Sequence, residues 1–525
     1  MAPVWGVAQV DGACANSNEA SAYLRQTRGS EAVPDVIWEH RPVTSPQPVS
    51  LDVLQQRSQV LWDALPEEVM DLAARFDAAG HEFALVGGPV RDAFLGRSSA
   101  DMDFATSARP DETEKILRTW TSATWDVGRA FGTIGGRRAG LMVEITTFRK
   151  DEYDGITRKP VVAFGDALEG DLARRDFTVN AMAVRLPAKE FVDLHGGLED
   201  LAGGLLRTPI EPDVSFSDDP LRMMRGARFA SQLGFDIEPA TFAAMSRLAE
   251  KITLVSAERV RDEWCKLMLG AHPRIGLAAL VDAQLADHVL PELPALKLEV
   301  DEHHHHKDVY EHTLTVLEQA IDLETDVDGA VPGPDLILRL AALMHDVGKP
   351  PTKRLEAGGG VSFHHHEVVG AKMTRKRLKA LRFDKDTIKA VSHLVELHLR
   401  FHGYADARWS DSAVRRYVTD AGDQLERLHR LTRADVTTRN RRKADRLSFA
   451  YDDLEHRIAE LREQEEIDSI RPDLDGNDVM EILGIGPGRD VGLAYKFLLE
   501  LRMEHGPLGR ERAEAELRQW WSQQS

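Results

Sequence analysis

The spacing of apolar positions along the chain changes character near Gly204. Upstream of it, short apolar runs bounded by glycine and polar residues predict strands, and stretches with apolar residues at helical spacing predict helices. The predicted helices are Ser50–Ala79, Asp92–Leu95 and Pro110–Trp120, and the predicted strands are Phe83–Val86, Asp101–Thr106, Gly132–Ile134 and Leu141–Phe148. This alternation predicts a mixed α/β domain that ends near Gly204.

Downstream the strand signals fade and helical periodicity dominates. The predicted helical segments are Ser217–Leu233, Thr241–Ala249, Ala257–Met268, an almost continuous helical region from Asp308 to Glu466, and Pro472–Trp521, which Gly484–Gly488 interrupt. Residues 1–50 are rich in Ala, Ser, Asn, Pro and Gly and show no periodicity. We predict that they form a disordered extension.

Composition places the chain among globular proteins with more than one domain. Its 525 residues, 42% hydrophobic and 29% charged, exceed what one core usually serves. No apolar run is long enough to span a bilayer, and the pattern of a secretory signal is missing, so we expect no membrane partner. Cys14 and Cys265 form no metal-ligand spacing, which favours a cytoplasmic location over a disulfide framework.

The formal net charge of -20 argues against a general nucleic-acid binder, which is usually basic. An acidic enzyme can still hold RNA on a local basic strip. The candidate strips are Arg174-Arg175, Arg222–Arg228, Lys372–Lys379 and Arg439–Arg446. Most such runs are solvated helix faces, which is the competing interpretation of each strip.

Two carboxylates in one predicted strand form the first candidate site. Asp101 and Asp103 are two residues apart, so they lie on the same face of the strand. Oxygen ligands that converge on one face suit Mg²⁺. Glu144 is the candidate third ligand, because it stands in an apolar strand, where an unpaired carboxylate is costly. The upstream Gly87-Gly88 turn would let backbone N–H groups reach phosphate oxygens.

This combination predicts metal-dependent nucleotidyl transfer, in which two ions assist an attacking 3′-hydroxyl and a leaving pyrophosphate. Arg91 would pair with a phosphate or with the adjacent Asp92. Taken singly, the paired aspartates read as a polar strand end and the paired glycines as a tight turn. Their joint occurrence in this order favours the catalytic interpretation.

A second candidate site consists of histidines and carboxylates in the helical half. The candidate ligands are His312, His345, Asp346 and Asp435, with His366 and His398 available for a second metal position. Imidazole and carboxylate ligands suit a transition metal or Mg²⁺ with open coordination positions. The competing interpretation of each histidine is a satisfied core residue. We interpret His303–His306 as a solvated loop before this region.

As an ordered set, motifs along the chain resemble those of bacterial tRNA nucleotidyltransferases, the CCA-adding enzymes, in the class II group that includes bacterial poly(A) polymerases. The matching segments are Leu85–Asp92, Asp101–Phe104, Gly132–Ile134, Glu144–Arg149, Arg174–Met182, Asp193–Gly197 and Asp218–Arg222. The histidine–aspartate order resembles the HD phosphohydrolase domain, whose ligand set it matches.

The resemblance implies roles for the matching residues. Asp101 and Asp103 would ligate Mg²⁺. The implied nucleotide-binding residues are Gly87, Gly88, Arg91, Arg174, Arg175, Asp176, Asn180, Asp219, Arg222, Arg225 and Arg228. Among them Asp176 would favour a ribose hydroxyl. Asp219 and Arg222 would present a Watson–Crick-like edge to the base, because arginine donates in a fixed fork and a carboxylate only accepts.

Three features of these motifs leave alternatives open. Asp218 stands where the family usually has glutamate, which is one methylene longer. Arg174 to Asp176 would also fit a surface ion-pair cluster of little energetic value. Asp219 would also fit a helix N-cap before Pro220. The segment from Asp475 to Gly488 resembles the RNA-facing end of the family, and a helix-breaking loop is the alternative.

The resemblance implies an α+β nucleotidyltransferase head of the polymerase β type with a small mixed sheet, followed by all-α domains that include an HD domain. The expected divisions are the disordered extension (1–50), the head (51–204), a neck for nucleotide recognition and RNA binding (205–300), the HD domain (301–466) and a helical tRNA-binding tail (467–525).

The implied function is addition of CCA to tRNA 3′ ends from CTP and ATP, with Mg²⁺ as cofactor and a monomer or homodimer as the assembly. A poly(A) polymerase, or an enzyme that adds only part of CCA, shares the same motifs. A metal phosphohydrolase acting on 2′,3′-cyclic or 2′-phosphates is an alternative from another class. A non-catalytic RNA-binding protein is the fourth hypothesis, which the intact candidate ligands at both sites disfavour.

Overall fold

The computed structural model describes residues 49–524 except 98–100, 153–160, 166, 298–307, 357–359, 402–403, 405–408, 438–439 and 466–470. Ser45–Ser525 form one compact unit. Nearly all of the predicted extension (residues 1–48), together with His303–His306 and Arg439, lies outside the described residues. Within the described part, no helix is both long enough and apolar enough to cross a membrane.

The first predicted helix is two helices, α1 (Leu51–Asp63) and α2 (Glu67–Ala78). Ser50 caps α1, because its side-chain oxygen accepts a hydrogen bond from the backbone N–H of Val53. Pro66 breaks the run, since a proline disfavours helical backbone in the residue before it. Periodicity alone had not separated the two.

The head is built on a seven-stranded sheet. Its strands and two outlying strands are β1 (Phe83–Val86), β2 (Asp101–Thr106), β3 (Ala123–Trp125), β4 (Thr133–Arg138), β5 (Leu141–Thr147), β6 (Arg149–Glu152), β7 (Val161–Phe164), β8 (Met182–Leu186) and β9 (Glu190–Asp193). The sheet order is β3-β4-β5-β2-β1-β8-β9, with β6 and β7 paired separately. Only the β2–β5 pair is parallel among these neighbours, so the predicted small mixed sheet is confirmed.

The turn between β4 and β5 is a tight two-residue hairpin. Ala139 and Gly140 have φ values of 51° and 86°, and the flanking residues Arg138 and Leu141 pair across the strands. Two successive positive φ values match the right-handed twist of the strands that they join. The strands predicted at Gly132–Ile134 and Leu141–Phe148 therefore form a hairpin, in which β4 extends to Arg138 rather than ending at Ile134.

Besides α1 and α2, the head contains helices α3 (Gly88–Phe94), α4 (Pro110–Trp120), α5 (Leu168–Ala173) and α6 (Gly197–Gly203). The core that holds helix α2 to the sheet is aromatic. The ring of Phe83 stacks between Phe76 and Phe104, with ring centroids 4.5 and 4.6 Å apart. All three rings are buried, and aromatic pairs add to the apolar area that they remove from water.

The region after the sheet is helical, as predicted, but one predicted helix was wrong. Ser217–Leu233 is split into α7 (Pro212–Asp218) and α8 (Leu221–Leu233). Asp219 between them is extended, with φ -138° and ψ 99°, because Pro220 disfavours helical backbone in the residue before it. The split exposes the carboxylate of Asp219 at the start of α8. Short strands β10 (Leu205–Leu206) and β11 (Asp236–Ile237) pair beside it.

The remaining helices are α9 (Pro239–Leu248), α10 (Ala257–Met268), α11 (Pro273–Asp282), α12 (Ala286–Val289), α13 (Val309–Asp322), α14 (Leu336–Met344), α15 (Lys349–Thr352), α16 (His366–Ala380), α17 (Lys385–Leu397), α18 (Asp411–Ala421), α19 (Leu425–Ala434), α20 (Arg441–Glu465), α21 (Gly476–Leu483), α22 (Arg489–His505) and α23 (Arg510–Ser522). One hydrophobic core runs from Phe216 to Leu461, and the last three helices have their own core. The predicted domain boundaries stay predictions.

Candidate active sites

The Gly87-Gly88 turn joins β1 to α3 and brings backbone close to an arginine. Gly87 has φ 75°, a conformation that favours glycine. A Cβ atom at this position would lie 2.8 Å from Nη1 of Arg175. The turn therefore needs glycine both for its backbone angle and for the approach of this guanidinium.

Replacing Gly87 with alanine is expected to raise the KM for nucleoside triphosphates about tenfold, because the Arg175 guanidinium must move aside. Backbone strain should also lower the free energy of unfolding by about 1–2 kcal/mol. Gly80→Ala is the matched control, since Gly80 has φ 78° with no heavy atom within 4 Å of the added Cβ. Steady-state kinetics and thermal unfolding should show equal destabilisation and a KM effect at Gly87 alone.

The strand register brings the predicted acidic residues together. Asp103 of β2 pairs with Glu144 of the parallel strand β5, so both side chains lie on the same face in adjacent strands. The side chain of Asp101 lies outside the described part of the structure, although its backbone opens β2. Glu144 is exposed, so the desolvation argument for it was wrong. Paired carboxylates on one open face fit Mg²⁺, which keeps several waters.

Arg91 and Asn180 tie the turn to the segment before β8. One guanidinium nitrogen of Arg91 donates to Oδ1 of Asn180 at 2.7 Å, and two others donate to Asp92 at 2.9 and 2.8 Å. The predicted pairing of Arg91 with Asp92 is therefore present. Whether this guanidinium also takes a phosphate stays a prediction.

Asp171 is a site residue that sequence reasoning missed. Its buried carboxylate accepts hydrogen bonds from Arg174 at 3.1 and 2.9 Å and from Arg175 at 3.0 Å. Burial raises the pKa of this carboxyl, but the two guanidiniums outweigh burial and hold the pKa below its usual value. The pair is thus anchored to a buried anion, unlike a surface cluster. Spacings of three and four residues on a helix were the available signal.

Asp176 lies at the centre of a second buried network. One carboxylate oxygen accepts hydrogen bonds from the backbone N–H of Phe177 and from Asn180, and the other accepts from Nε of Arg225 at 2.7 Å. Although burial acts to raise it, the pKa of Asp176 lies below its usual range because Arg225 and Asn180 stabilise the anion. The carboxylate positions Arg225, and the predicted ribose contact stays a prediction.

Arg228 has a separate partner, Glu263, which sequence reasoning also missed. Nε of Arg228 lies 2.8 Å from the carboxylate of Glu263, and both side chains are buried. Burial, and to a smaller extent the neighbouring Arg225, lower the pKa of Arg228 to about 10, although Glu263 acts in the opposite direction. Glu263 also lies 3.7 Å from Arg225, so one buried carboxylate faces both predicted arginines. No sequence spacing links helix α10 to helix α8.

Three guanidiniums surround one aromatic ring at this end of helix α8. Those of Arg91, Arg225 and Arg228 lie 5.3, 5.6 and 3.9 Å from the ring centroid of Phe229. Cations gather over a ring face because of its negative quadrupole. Arg225 and Arg228 are held by buried carboxylates and Arg91 by the partly buried Asp92. We call these three cations the cationic wall, a charge arrangement that suits a triphosphate.

The proposed base-reading pair is held by different partners. Arg222 is buried, donates to the hydroxyl of Ser215 at 2.8 Å, and donates to the backbone oxygen of Arg174 at 2.5 Å. The carboxylate of Asp219 accepts the backbone N–H of Leu221 at 3.1 Å and a guanidinium N–H of Arg259 at 3.0 Å. Asp219 therefore makes the predicted cap-like contact at the start of α8. Arg259 is a further residue that sequence reasoning missed.

The histidine–aspartate cluster is assembled as predicted, including the two further histidines. The potential ligand atoms fall into two groups, each within 4.8 Å, formed by His312, His345 and Asp435 and by Asp346, His366 and His398. Asp346 connects the groups, since its oxygens lie 3.2 Å from Nε2 of His345 and 3.3 Å from Nε2 of His366. Residues in helices α13 and α16 and residues just after the ends of helices α14, α17 and α19 thus lie close together.

Backbone contacts fix the orientation of three of these histidine rings. Nδ1 of His345 lies 2.8 Å from the oxygen of Ala342, and Nδ1 of His366 and of His398 contact carbonyl oxygens three residues upstream at 2.8 and 2.7 Å. Among the described residues, their buried Nε2 atoms make no hydrogen bond. An Nδ1–H that donates to a carbonyl leaves a lone pair on Nε2, which is the arrangement found in metal-ligating histidines. The donor set fits divalent metal ions.

The charges in this cluster are strongly coupled through space. Burial opposes protonation of His345, but the carboxylate of Asp346 and that of Asp435 raise its pKa to about 9. Burial and the neighbouring His345 lower the pKa of His398 to about 3. Nζ of Lys349 lies 2.8 Å from Asp346. An ion bound here would compete with protons for these groups, because metal ligands must be deprotonated.

Comparisons with known families match three parts of the chain. Residues 83–207 match the poly A polymerase head domain, and residues 234–296 match the probable RNA and SrmB-binding site of polymerase A. Residues 309–440 match the HD domain. The first match contains Asp103 and Glu144 and the third contains the HD cluster, whereas Asp219 and Arg222 lie between the first two matches.

Curated relatives differ in how much of the chain they cover. The CCA-adding enzyme of Streptococcus suis is 44% identical over 228 residues, which are 43% of this chain and 55% of that enzyme, so the chain spans about half the length of that relative. The A-adding tRNA nucleotidyltransferase of Deinococcus radiodurans is 34% identical over 434 residues, which are 80% of this chain and 91% of that enzyme.

Solved structures share the fold. The Bacillus stearothermophilus CCA-adding enzyme in complex with CTP aligns at a TM-score of 0.65 and 24% identity, covering 87% of this chain and 98% of that chain. The Thermotoga maritima CCA-adding enzyme complexed with tRNA aligns at 0.56 and 18%, covering 90% and 98%. The extended match to the Deinococcus enzyme, together with the three family matches, shows that this chain belongs to the tRNA nucleotidyltransferase family.

Proposed function

We propose that the chain completes tRNA by adding CCA to its 3′ end from CTP and ATP, releasing pyrophosphate. The observation that carries the proposal is the pairing of Asp103 with Glu144 beside the Gly87 turn. Leu85 pairs with Phe104 in antiparallel strands, so the end of β1 lies next to Asp103. Carboxylates that could bind cations and a glycine turn that could bind phosphate therefore lie at the same end of the central strands β5, β2 and β1.

The chain's own residues supply positioning and charge for this reaction. The 3′-oxygen of the RNA forms a bond to the α-phosphorus, the bond to the β-phosphate oxygen breaks, and pyrophosphate carries away the electron pair. Asp101, Asp103 and Glu144 would hold the divalent ions, which when bound lower the pKa of an attacking hydroxyl and neutralise phosphate charge. The cationic wall around Phe229 would bind the triphosphate.

Base selection is assigned to Asp219 and Arg222. Arg259 holds the carboxylate of Asp219, and Ser215 holds the guanidinium of Arg222. Protein groups fixed in this way would select the base without a nucleic-acid template. A fork of donors beside an acceptor can match the pairing edge of C or of A after a small rotation. Asp218 directly precedes Asp219 and is one methylene shorter than the glutamate usual in the family. We therefore include Asp218 in the proposed base-selection site.

Replacing Arg222 with lysine is expected to reduce discrimination between CTP and ATP about tenfold or more, because lysine keeps the charge and loses the fork. The KM for the triphosphate should change less than about threefold, since the cationic wall is intact. Arg247→Lys is the matched control, because Arg247 forms an exposed ion pair with Asp213. Competition between labelled CTP and ATP measures the ratio, and an unchanged ratio would remove Arg222 from base selection.

The test of the function is incorporation on a tRNA transcript that lacks its 3′ CCA. The transcript is incubated with Mg²⁺ and CTP alone, ATP alone, or both, and product length is resolved to one nucleotide. Two C additions followed by one A and then a stop support CCA addition. Repeated A addition with little use of CTP would assign the chain to the poly(A) polymerases.

An A-adding enzyme is the second candidate, because the relative that covers 80% of this chain carries that name. A transcript that already ends in CC distinguishes the two candidates. An A-adding enzyme extends only this transcript, by one A, and leaves the transcript without CC unchanged in CTP. A CCA-adding enzyme extends both.

The HD cluster supports a separate proposal, a metal-dependent phosphohydrolase activity toward 2′,3′-cyclic or 2′-phosphates. Its support is the pair of buried ligand groups joined by Asp346. Mg²⁺ or a transition-metal ion fits these imidazole and carboxylate donors. We further infer a cytoplasmic enzyme, monomeric or homodimeric, organised as the head, neck, HD domain and tail predicted from the sequence.

A further inference from the structure

Three of the four basic strips of the sequence have different surroundings in the structure. Arg174-Arg175 and Arg222–Arg228 are engaged with buried anions and backbone oxygens in the nucleotide pocket. The strip Lys372–Lys379 lies on helix α16 instead and has no role in either site. Its cations belong to a chain whose net charge is -20, so a persistent cationic surface calls for an explanation.

The exposed cations of α16 occupy one face of the helix. Lys372, Arg375, Lys376 and Lys379 are spaced i, i+3, i+4 and i+7, and all four are exposed. Residues of the opposite face, among them Ala371, Thr374 and Leu378, are buried. At a rise of 1.5 Å per residue, the four cations line about 10 Å of helix axis. We call these four residues the α16 basic face.

The lysines of this face have no acidic partner among the residues that the structure describes. Arg375 donates only to a hydroxyl, that of Ser392. Arg377, which turns toward the neck, is instead paired with Glu292 at 2.8 Å. Arg377, on the inward side of the helix, is therefore neutralised by Glu292, whereas the exposed lysines of the α16 basic face have no acidic partner among the described residues.

The two ends of helix α16 lie at the HD cluster and beside helix α10. Its first residue, His366, is a candidate metal ligand. The turn after its last residue reaches the neck, where the backbone oxygen of Arg382 accepts a hydrogen bond from Arg261 at 2.7 Å. Arg261 is two residues from Arg259, which holds Asp219. One helix thus leads from the HD cluster to the element that supports the base-reading pair.

We propose that the α16 basic face binds the phosphate backbone of the base-paired body of the RNA whose 3′ end is extended in the head. This inference rests on the proposed function for its RNA partner. A straight row of cations complements the regular charge of a base-paired stem, and such contacts position an RNA without reading its sequence. The HD domain would then act as a docking surface for the same substrate that the head extends.

The test is a triple substitution in the full chain, Lys372→Gln, Lys376→Gln and Lys379→Gln. Affinity for a tRNA transcript lacking CCA is measured at several salt concentrations, alongside kcat and KM for tRNA and for CTP. The matched control is Arg57→Gln, Lys115→Gln and Arg118→Gln, which removes the same charge from exposed residues on helices α1 and α4, outside the four basic strips. Both variants are checked by circular dichroism and by thermal unfolding.

We expect the triple variant to raise the KM for tRNA about tenfold and to reduce the slope of log affinity against log salt by about 2–3. The kcat and the KM for CTP should be unchanged, and the control should bind as wild type. Equal weakening by the two triples would overturn the inference, since overall charge would then explain it. So would unchanged tRNA binding accompanied by altered self-association, which would assign the face to a second acidic copy of the chain.

The outcomes also separate this inference from the proposed function. If the wild type adds no nucleotide but binds tRNA with a salt slope that the triple variant reduces, the surface assignment holds and the function fails. If the wild type adds CCA and the triple variant binds tRNA normally, the surface assignment fails alone.

Discussion

Replacing Asp103 with asparagine is expected to lower kcat for nucleotide incorporation by about 10³-fold, while the fold stays intact. Asparagine keeps the size and the acceptor oxygen but removes the charge that a divalent cation requires. Loss of one anionic ligand facing a phosphoryl group is worth about 4 kcal/mol of transition-state stabilisation, which is about three powers of ten in rate. The pairing of Asp103 with Glu144 makes this the most sensitive position that the structure describes in the head.

The measurement is single-turnover incorporation of labelled CTP on a tRNA transcript, over a range of Mg²⁺ concentrations. Asp111→Asn is the matched control, because Asp111 lies in the same domain and its side chain is 81% exposed. The control should keep kcat within about twofold of wild type. Near-normal incorporation by the Asp103 variant would contradict the cation assignment, and Glu144→Gln then shows whether the neighbouring strand carries the site.

Replacing His345 with alanine is expected to abolish metal binding in the HD cluster and any phosphohydrolase activity there, with nucleotide addition unchanged. His345 is fully buried, and its Nε2 lies 3.2 Å from Asp346 and 3.6 Å from Asp435, which belong to different ligand groups. Removing the imidazole deletes one ligand of the cluster, so the affinity for the ion should fall by at least about 100-fold. Nucleotide addition depends on the head and neck, which have separate donors.

Metal content by mass spectrometry, hydrolysis of a 2′,3′-cyclic nucleotide and CCA addition are measured in parallel. His364→Ala is the matched control, because His364 is exposed and is not among the candidate ligands. Asp435→Asn provides a second variant with a smaller loss of buried volume, should the alanine unfold the domain. Full metal content in both cluster variants would contradict the assignment. Loss of nucleotide addition in step with hydrolysis would instead make the cluster structural.

Much of the fold follows from local pattern. Helices α4 and α10 and strand β2 occupy the residues predicted for them, because capping residues, prolines and period mark their ends within a few residues. The two predicted helices that proved to be divided each contain a proline that the apolar periodicity does not take into account. Pro66 and Pro220 each divide a run that periodicity joins, and the second division creates the position of Asp219.

The candidate residues of both sites also follow from sequence, since ligand chemistry restricts the residue types. Alternation in a strand places Asp101 and Asp103 on one face, whatever the rest of the chain does. The order of histidines and aspartates predicted the second cluster, and the structure assembles those residues. Sequence could not tell how Glu144 reaches the site, and the reason first given for it, burial, is wrong because the side chain is exposed.

What the sequence by itself determined is therefore the chemistry available: which strands and helices form, which side chains bind cations, and which glycines permit a turn. The tertiary structure decided the partners. Glu144 reaches Asp103 only through strand register, and Glu263 reaches Arg228 only because helices α8 and α10 pack together. Such contacts join residues far apart in the chain, and packing and charge pairing depend on distance in space, which spacing along the sequence does not encode.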